Sequence, residues 1–492
     1  MDIFVLKCFF LLVLHTSTYP AAARRERKNV LFIMADDLRT SLGCYGDPVA
    51  KSPNIDQLAS RGQVFLNAFA QQAVCGPSRV SMLTSRRPDT TRLYDFNSYW
   101  RVHSGNYTTL PQYFKSQGYF TMSVGKVFHP GIASNNTDDY PYSWSIPAYH
   151  PPSFTYEKKK DYLTLYPLDQ MTLASDPDVP ERLPTVAYNP WTDVRKREDV
   201  EKLNISFPYG SIPKDFQLRI RQHYYAAVSY MDAQVGRLLS ALEELGLADN
   251  TMVVFTSDHG WSLGEHGEWA KYSNFDVATR VPLIFFVPDG NEAGTSTFPF
   301  IDVLRESVHS IKSGKVRSRL VELVDVFPTV SYLAGLEVPV QCPDISFQVE
   351  LCTEGYNRSY AAPQGRSERT PEDVAFSQYP RPADAPQENS DLPDLKDIKI
   401  MGYSLRTWDY RYTLWLGFNP KTFQVNVSDV HAGELYMSAD DPGQDKNIFN
   451  NFDYSEIMRK TASLPQTVGL QMRMKLQFHY LTAGMKRSRG KP

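Results

Sequence analysis

The sequence predicts an α/β fold, with a large, mostly parallel sheet flanked by helices and a smaller C-terminal α+β unit built on an antiparallel sheet. Three observations predict it. Apolar runs end abruptly in charged residues in NVLFIMADD, YFTMSVGKVFH and TMVVFTSDHG, as buried parallel strands do when they deliver polar groups to one edge of a sheet. Ile220, Tyr224, Val228, Met231, Val235, Leu238, Leu242 and Leu245 recur at helical spacing, which supplies an amphipathic helix to cover such a sheet. Late in the chain, IKIMGYSLRTWDYRYTLWLGF alternates apolar and polar residues with many aromatics, the pattern of antiparallel strands.

Taken in order, residues 1–23 read as a signal peptide, with Lys7, an apolar run from Cys8 to Leu14 and small residues Ala21 to Ala23. A strand is expected from Val30 to Ala35, ending at Asp36 and Asp37. SPNIDQLASRG then gives a helix with Ser52 as N-cap, Pro53 in its first turn and Gly62 as its stop. A second strand is expected from Tyr119 to Val124, followed at once by Lys126 and His129. Residues 137–214, rich in Pro and Tyr, read as surface loops over the sheet's edge. The long helix is expected to be capped by Asp215 and ended by Gly246, before the strand that leads to Asp258 and His259. VPLIFFVPDG supplies a further strand beyond Lys271. The expected organisation is a large domain over 29–360, a polar linker near 360–372, a C-terminal subdomain over 373–457 and a divergent, disordered basic tail over 458–492.

The net charge of −3 over 492 residues argues against a nucleic-acid binder. No segment reaches the roughly 20 apolar residues that a membrane-spanning helix needs. Five sequons, at Asn106, Asn135, Asn204, Asn357 and Asn426, fit a secreted glycoprotein. Cys342 and Cys352 bound a short loop and are expected to form a disulfide in an oxidising compartment. Cys44 and Cys75 are left, with nothing in the sequence to pair them.

Asp36, Asp37 and Asp258 offer hard oxygen ligands, with His259 as the nearby nitrogen donor, a set that suits Ca²⁺ or Mg²⁺ better than Zn²⁺. Cys75 stands just ahead of Pro77 at a helix start, where unpaired N–H groups attract an anion. Arg79, Lys126 and Lys271 would add formal charge, enough to clamp a tetrahedral oxyanion such as sulfate or phosphate.

At these residues the chain resembles the sulfatases. Cys75-Gly76-Pro77-Ser78-Arg79 has the Cys-x-Pro-Ser-Arg form of their signature, and ADD, GKVFH, SDHG and GEWAKYSN are similar to the family's accompanying stretches. SPNIDQLAS, RRPDTTRLYDFNSYWRVH, ISFQVELC, SQYPRP and DIKIMGYS extend the likeness from about Asn29 to about Asn447. The resemblance implies an alkaline-phosphatase-like fold, with 29–360 as the catalytic domain. It implies that formylglycine-generating enzyme oxidises Cys75 to formylglycine, whose hydrate attacks sulfur, and that Asp36, Asp37, Cys75, Asp258 and His259 hold Ca²⁺. Arg79 would stabilise the hydrate, Lys126 and Lys271 would neutralise sulfate oxygens, and His129 would assist proton transfer. Trp261 and the segment Tyr94 to Arg101 would shape the sugar pocket. The implied substrate is 2-sulfated iduronate in heparan and dermatan sulfate, and the implied compartment is the lysosome, reached through the secretory pathway.

The likeness also has departures. Ser85 follows Leu83-Thr84 where the family usually has glycine. Near Tyr156 to Tyr162, YEKKKDY, the relatives carry a further segment with a helix, a sheet strand and a Gly-Tyr-His-Lys-Pro-His stretch. Its first histidine faces the sulfate, so its loss implies a rate lower by about 10² to 10⁴. The tail after about Asn451 does not resemble the relatives' ending. Two alternatives follow: an impaired sulfatase variant that binds sulfated glycosaminoglycan, and a related metal-dependent phosphohydrolase.

Overall fold

The computed structural model describes residues 27–151, 159–288, 298–306, 314–343, 346–359 and 373–454. The signal peptide, the linker at 360–372 and the basic tail lie outside them. The elements that position the site are β1 (Asn29–Ala35), α1 (Pro53–Arg61), β2 (Gln63–Phe69), α2 (Cys75–Thr84), α3 (Leu110–Ser116), α4 (Lys214–Glu244), β3 (Thr251–Ser257), β4 (Arg280–Phe286), β5 (Lys315–Glu322) and α5 (Val326–Leu333). Beyond them come β6 (Ala375–Arg381), β7 (Ile400–Arg406), β8 (Tyr410–Asn419) and β9 (Gln424–Met437).

The main sheet has the order β1-β3-β4-β2-β5. β1 and β3 pair parallel from Asn29–Thr251 to Ala35–Ser257, as do β2 and β5, whereas β4 runs antiparallel to both of its neighbours. β4 is reversed for a local reason: β3 delivers its end to the polar edge, and residues 258–279 stay there, so the next strand starts at that edge and must run back. Val80, Leu83, Leu110, Phe114, Phe327 and Val330 pack one face of the sheet; Ile55, Leu58, Val228, Val235 and Leu239 pack the other. The second sheet is fully antiparallel, in the order β9-β8-β7-β6. It docks on the first through Glu322, which accepts the Phe376 N–H at 2.8 Å and both guanidinium nitrogens of buried Arg87 at 2.6 Å.

Several sequence expectations are corrected. Among the described residues, 119–124 form no sheet strand, and their only ladder contact is a bridge from Val124 to Tyr149. Asp215 lies inside the first turn of α4 and gives no side-chain cap. Ser52 precedes α1 as expected, but its side chain does not cap the helix. Asp232 of α4 takes that role, accepting the Asn54 and Ile55 N–H groups at 3.2 and 2.8 Å. The 137–214 region is more than surface loop, since Val186, Trp191, Val194, Val200 and Ile212 bury a core with Trp269, Tyr379 and Trp415. Cys342 and Cys352 are bridged, while Cys44 and Cys75 remain buried thiols. Among the sequons, Asn106, Asn135, Asn204 and Asn426 are exposed and Asn357 is half-buried.

Glu268 lies buried beside this core and accepts the Asn189 N–H at 2.7 Å. Burial pushes its carboxyl up to about 8 from 4.5. The folded protein therefore holds a proton that the unfolded chain releases. That contribution is complete below about pH 4.5 and is lost as pH rises through 8. The unfolding midpoint is accordingly expected to fall between pH 5 and pH 8. Glu268→Gln should remove a part of that slope on the order of a few kcal/mol, as thermal melts across the range would show.

Candidate active site

The polar edge of the sheet gathers the charged strand ends. β1 releases Asp36 and Asp37, the latter with a left-handed φ of 58°. β3 releases Asp258 and His259, both fully buried. α2 begins at Cys75, whose Sγ lies 3.5 Å from Asp36 Oδ1, 3.3 Å from His259 Nε2 and 3.1 Å from Lys271 Nζ. Sequence positions from 36 to 271 thus meet at one thiol.

Arg79, one turn into α2, is wholly buried. Its Nε donates to Asp258 Oδ2 at 2.8 Å and a terminal nitrogen donates to Asp36 at 2.9 Å, while the remaining one donates to the Lys126 carbonyl. Lys126 Nζ lies 2.9 Å from Asp36, and Lys271 Nζ lies 2.8 Å from Asp37. Burial would raise the Asp258 carboxyl, but Arg79, His259 and Lys271 hold it well below the usual carboxylate range. Burial, followed by Asp258, pushes the Cys75 thiol up to about 12. As a plain thiol it stays protonated, and a protonated thiol is a poor nucleophile.

His129 stands at the rim. Its ring stacks on Phe96 at 3.9 Å and its Nδ1 hydrogen-bonds the Pro130 carbonyl at 2.8 Å. Burial, with Lys126 next in weight, pushes it down to about 4. The Trp261 ring lies 5.6 Å from Lys271 Nζ. Of the segment Tyr94 to Arg101, Phe96 reaches this place, whereas Tyr94 is buried on Asp89 and Arg101 is held by Asp139.

Residues that the sequence did not single out hold these groups in place. Tyr224 Oη donates to the Asp37 carbonyl and accepts the Arg39 N–H, at 3.0 and 3.1 Å. Ser257 Oγ accepts the Leu38 N–H at 3.0 Å and donates to the His259 carbonyl. Ser78 Oγ donates to the Asp258 carbonyl. Ser78 was at least inside the signature; Tyr224 carried only the helical period that placed it on the core face. Ser85 ends α2 with φ 52°, where glycine costs least. Its hydroxyl donates to the Val324 carbonyl at 2.6 Å and accepts the Gly355 N–H at 3.2 Å, which offsets the strain.

Two ligand sets share Cys75: Asp37 with His259, and Asp36 with Asp258, the donor atoms of each set lying within 4.8 Å of one another. Three carboxylates and one imidazole around a small volume fit a hard divalent cation.

Comparison with known proteins is consistent with this geometry. A sulfatase family model matches residues 28–336. The chain is 55% identical to the iduronate 2-sulfatase of Homo sapiens across 509 aligned positions, which take in 88% of this chain and 92% of that protein. It is 53% identical to the iduronate 2-sulfatase of Mus musculus, with 87% and 92% covered. Among solved structures, a 2-O GAG sulfatase is similar at TM-score 0.59 and 20% identity, over 95% of this chain and 94% of its own. The phosphonate monoester hydrolase of Silicibacter pomeroyi is similar at 0.59 and 17%, over 94% and 95%. At such identities the two solved structures establish the fold.

Proposed function

Because the chain belongs to the sulfatase family, and is a sulfuric ester hydrolase, we propose that it removes the 2-sulfate of L-iduronate 2-sulfate units in heparan and dermatan sulfate within the lysosome. The observation that carries this reading is the 55% identity to human iduronate 2-sulfatase over 88% of the chain.

Family membership brings formylglycine and a divalent metal. On our reading Cys75 is the residue converted, by formylglycine-generating enzyme, and the oxygen-rich donors make Ca²⁺ the metal, held by Asp36, Asp37, residue 75, Asp258 and His259. Bound there, the two groups would supply a hydrated-aldehyde nucleophile and Lewis-acid polarisation of the sulfate. The chain's own side chains do the rest. Lys126 and Lys271 neutralise the sulfate oxygens, and the first turn of α2 adds a partial positive charge. Arg79 fixes the carboxylates of Asp36 and Asp258 and faces the nucleophile. His129, at about 4, is a neutral imidazole through most of the acidic range, able to accept a proton. Trp261 and Phe96 supply apolar walls for a sugar ring.

The test is sulfate release near pH 5 from a disaccharide whose non-reducing end is iduronate 2-sulfate, run beside a 6-sulfated hexosamine and a phosphate monoester. Release from the first substrate is expected, with peptide mass spectrometry showing an aldehyde at position 75. Preferential turnover of the phosphate ester would overturn the reading, and binding of the disaccharide without turnover by a converted protein would mark an impaired variant.

A further inference from the structure

Lys271 reaches the site from a strained stretch of backbone. Its Nζ lies 2.8 Å from Asp37 and 3.1 Å from Cys75 Sγ, and the residues on either side of it, Ala270 and Tyr272, have left-handed φ values of 67° and 80°. Neither is glycine, and a side chain as bulky as tyrosine meets steric conflict in that region. Such a conformation persists only where the surrounding contacts over-determine it.

Those contacts come from two distant parts of the chain. Asn189 is wholly buried, and the two hydrogens of its amide go to the carbonyls of Trp269 and Lys271, at 3.3 and 2.5 Å. The amide has one workable orientation, because its Oδ1 accepts the Trp191 N–H at 2.8 Å. Its backbone N–H is held in turn by Glu268. Arg381, at the end of β6 and also buried, donates to the Tyr272 carbonyl at 2.8 Å and to the carbonyls of Val186 and Ala187 at 3.1 and 3.3 Å. A third hold is Tyr272 Oη, which donates to Asp193 Oδ2 at 2.7 Å.

The partners of Arg381 are informative. A buried guanidinium is ordinarily paired with a carboxylate, yet among the described residues Arg381 makes no ion pair, and its hydrogen bonds end on backbone carbonyls. Its charge is spent on fixing the path of the chain. Among the described residues, neither Asn189 nor Arg381 hydrogen-bonds Asp36, Asp37, Cys75, Asp258 or His259. Both act on the site only through the backbone of residues 269–272.

We propose that Asn189 and Arg381 are positioning residues for Lys271. By clamping the Lys271 and Tyr272 carbonyls they keep residues 270–272 in the left-handed turn that delivers the ammonium to residue 75. Released from the clamp, Ala270 and Tyr272 relax to negative φ and Nζ moves, and a misplacement of about 1 Å costs a well-placed group on the order of 10²-fold in rate. The inference rests on the reading of Lys271 as a group that neutralises the sulfate oxygens.

The experiment is a double-mutant cycle on the full chain. Asn189→Asp keeps the size of the side chain and its Oδ1 acceptor but turns an oxygen toward the Trp269 and Lys271 carbonyls, and is expected to slow sulfate release by about 10- to 100-fold. Lys271→Ala is expected to cost about 10²- to 10³-fold. In that background Asn189→Asp should cost nothing further, because the group it positions is gone. A role confined to packing would instead slow both backgrounds alike. Tyr272→Phe, which removes only the tie to Asp193, is carried through the same cycle in case Asn189→Asp fails to fold; a smaller loss is expected, again only while Lys271 is present. The affinity of the same proteins for inorganic sulfate, read by calorimetry, repeats the cycle without turnover. Losses that multiply across the cycle overturn the clamp and leave the role of Lys271 standing. A Lys271→Ala protein that releases and binds sulfate like its parent overturns that role, and the clamp with it.

Discussion

Cys75→Ala is expected to reduce sulfate release by about 10⁵-fold or more while leaving the fold in place. The magnitude follows from what losing a covalent nucleophile costs elsewhere, on the order of 10⁶ in turnover, with a residue of rate left to the electrostatics of the site. Here those electrostatics survive the substitution, because Arg79, Lys126 and Lys271 are anchored on Asp258, Asp36 and Asp37 and not on the thiol alone. Cys75 is buried at the start of α2, so removing one sulfur leaves a small cavity costing about 1 kcal/mol. Circular dichroism and thermal midpoint should therefore stay near the wild type. Cys75→Ser separates nucleophile from regeneration. A serine hydroxyl can take the sulfuryl group once, but it has no second hydroxyl whose proton loss expels sulfate. Intact mass after exposure to substrate should show a single stable sulfate ester on Ser-substituted protein and no continuing release. Undiminished multiple turnover by either variant would remove residue 75 from the chemistry altogether.

The strand ends were legible because burial and chemistry point in opposite directions there. A run such as TMVVFTS can only be interior, so the Asp258 that follows it is either an error of patterning or a functional group. β2, in QVFLNAF, and β5, in KVRSRLVE, escaped notice because their apolar residues are interrupted by Asn67, Arg317 and Arg319. Asn67 is tolerated by donating to the Ser318 carbonyl at 2.8 Å, and Arg319 by pairing with Asp373 at 2.6 Å. The direction of β4 could not be read from its own residues, since a fully buried strand looks alike either way; it is fixed by residues 258–279 remaining at one edge. YFTMSV was a sound strand pattern whose neighbour decides its state. Residues 120–124 have the alternation of a sheet strand, but among the described residues no backbone hydrogen bond joins them to β1. At the site, sequence spacing named the groups that carry charge. It could not name Tyr224 or Ser257, because a hydroxyl that hydrogen-bonds a backbone carbonyl leaves no periodic trace.

Asp258→Asn should be the most damaging single change to the protein as a folded, metal-binding body. The carboxylate is used on both oxygens: Oδ1 accepts the N–H groups of Asp37 and His259 at 3.2 and 3.0 Å, and Oδ2 accepts Arg79 Nε at 2.8 Å. An amide offers one acceptor and one donor, so it must turn its NH₂ toward either those backbone donors or the guanidinium. Either choice sets donor against donor at a fully buried position, and Arg79 loses half of its counter-charge while remaining wholly buried. Breaking a buried pair in this way costs about 3–5 kcal/mol. The sign with pH distinguishes this loss from that of Glu268. A carboxyl held well below its ordinary value contributes its stability above that value, near 3.8, and loses it only as pH falls further. The Asp258→Asn deficit should therefore be equally large at pH 5 and pH 7, where the Glu268 contribution changes. Thermal melts at both values, with metal content by mass spectrometry on the same samples, measure the two consequences together. A variant that melts within 1 kcal/mol of the parent and retains its metal would show that Arg79 is balanced by Asp36 alone, and that the coupling of β3 to α2 through this carboxylate is dispensable.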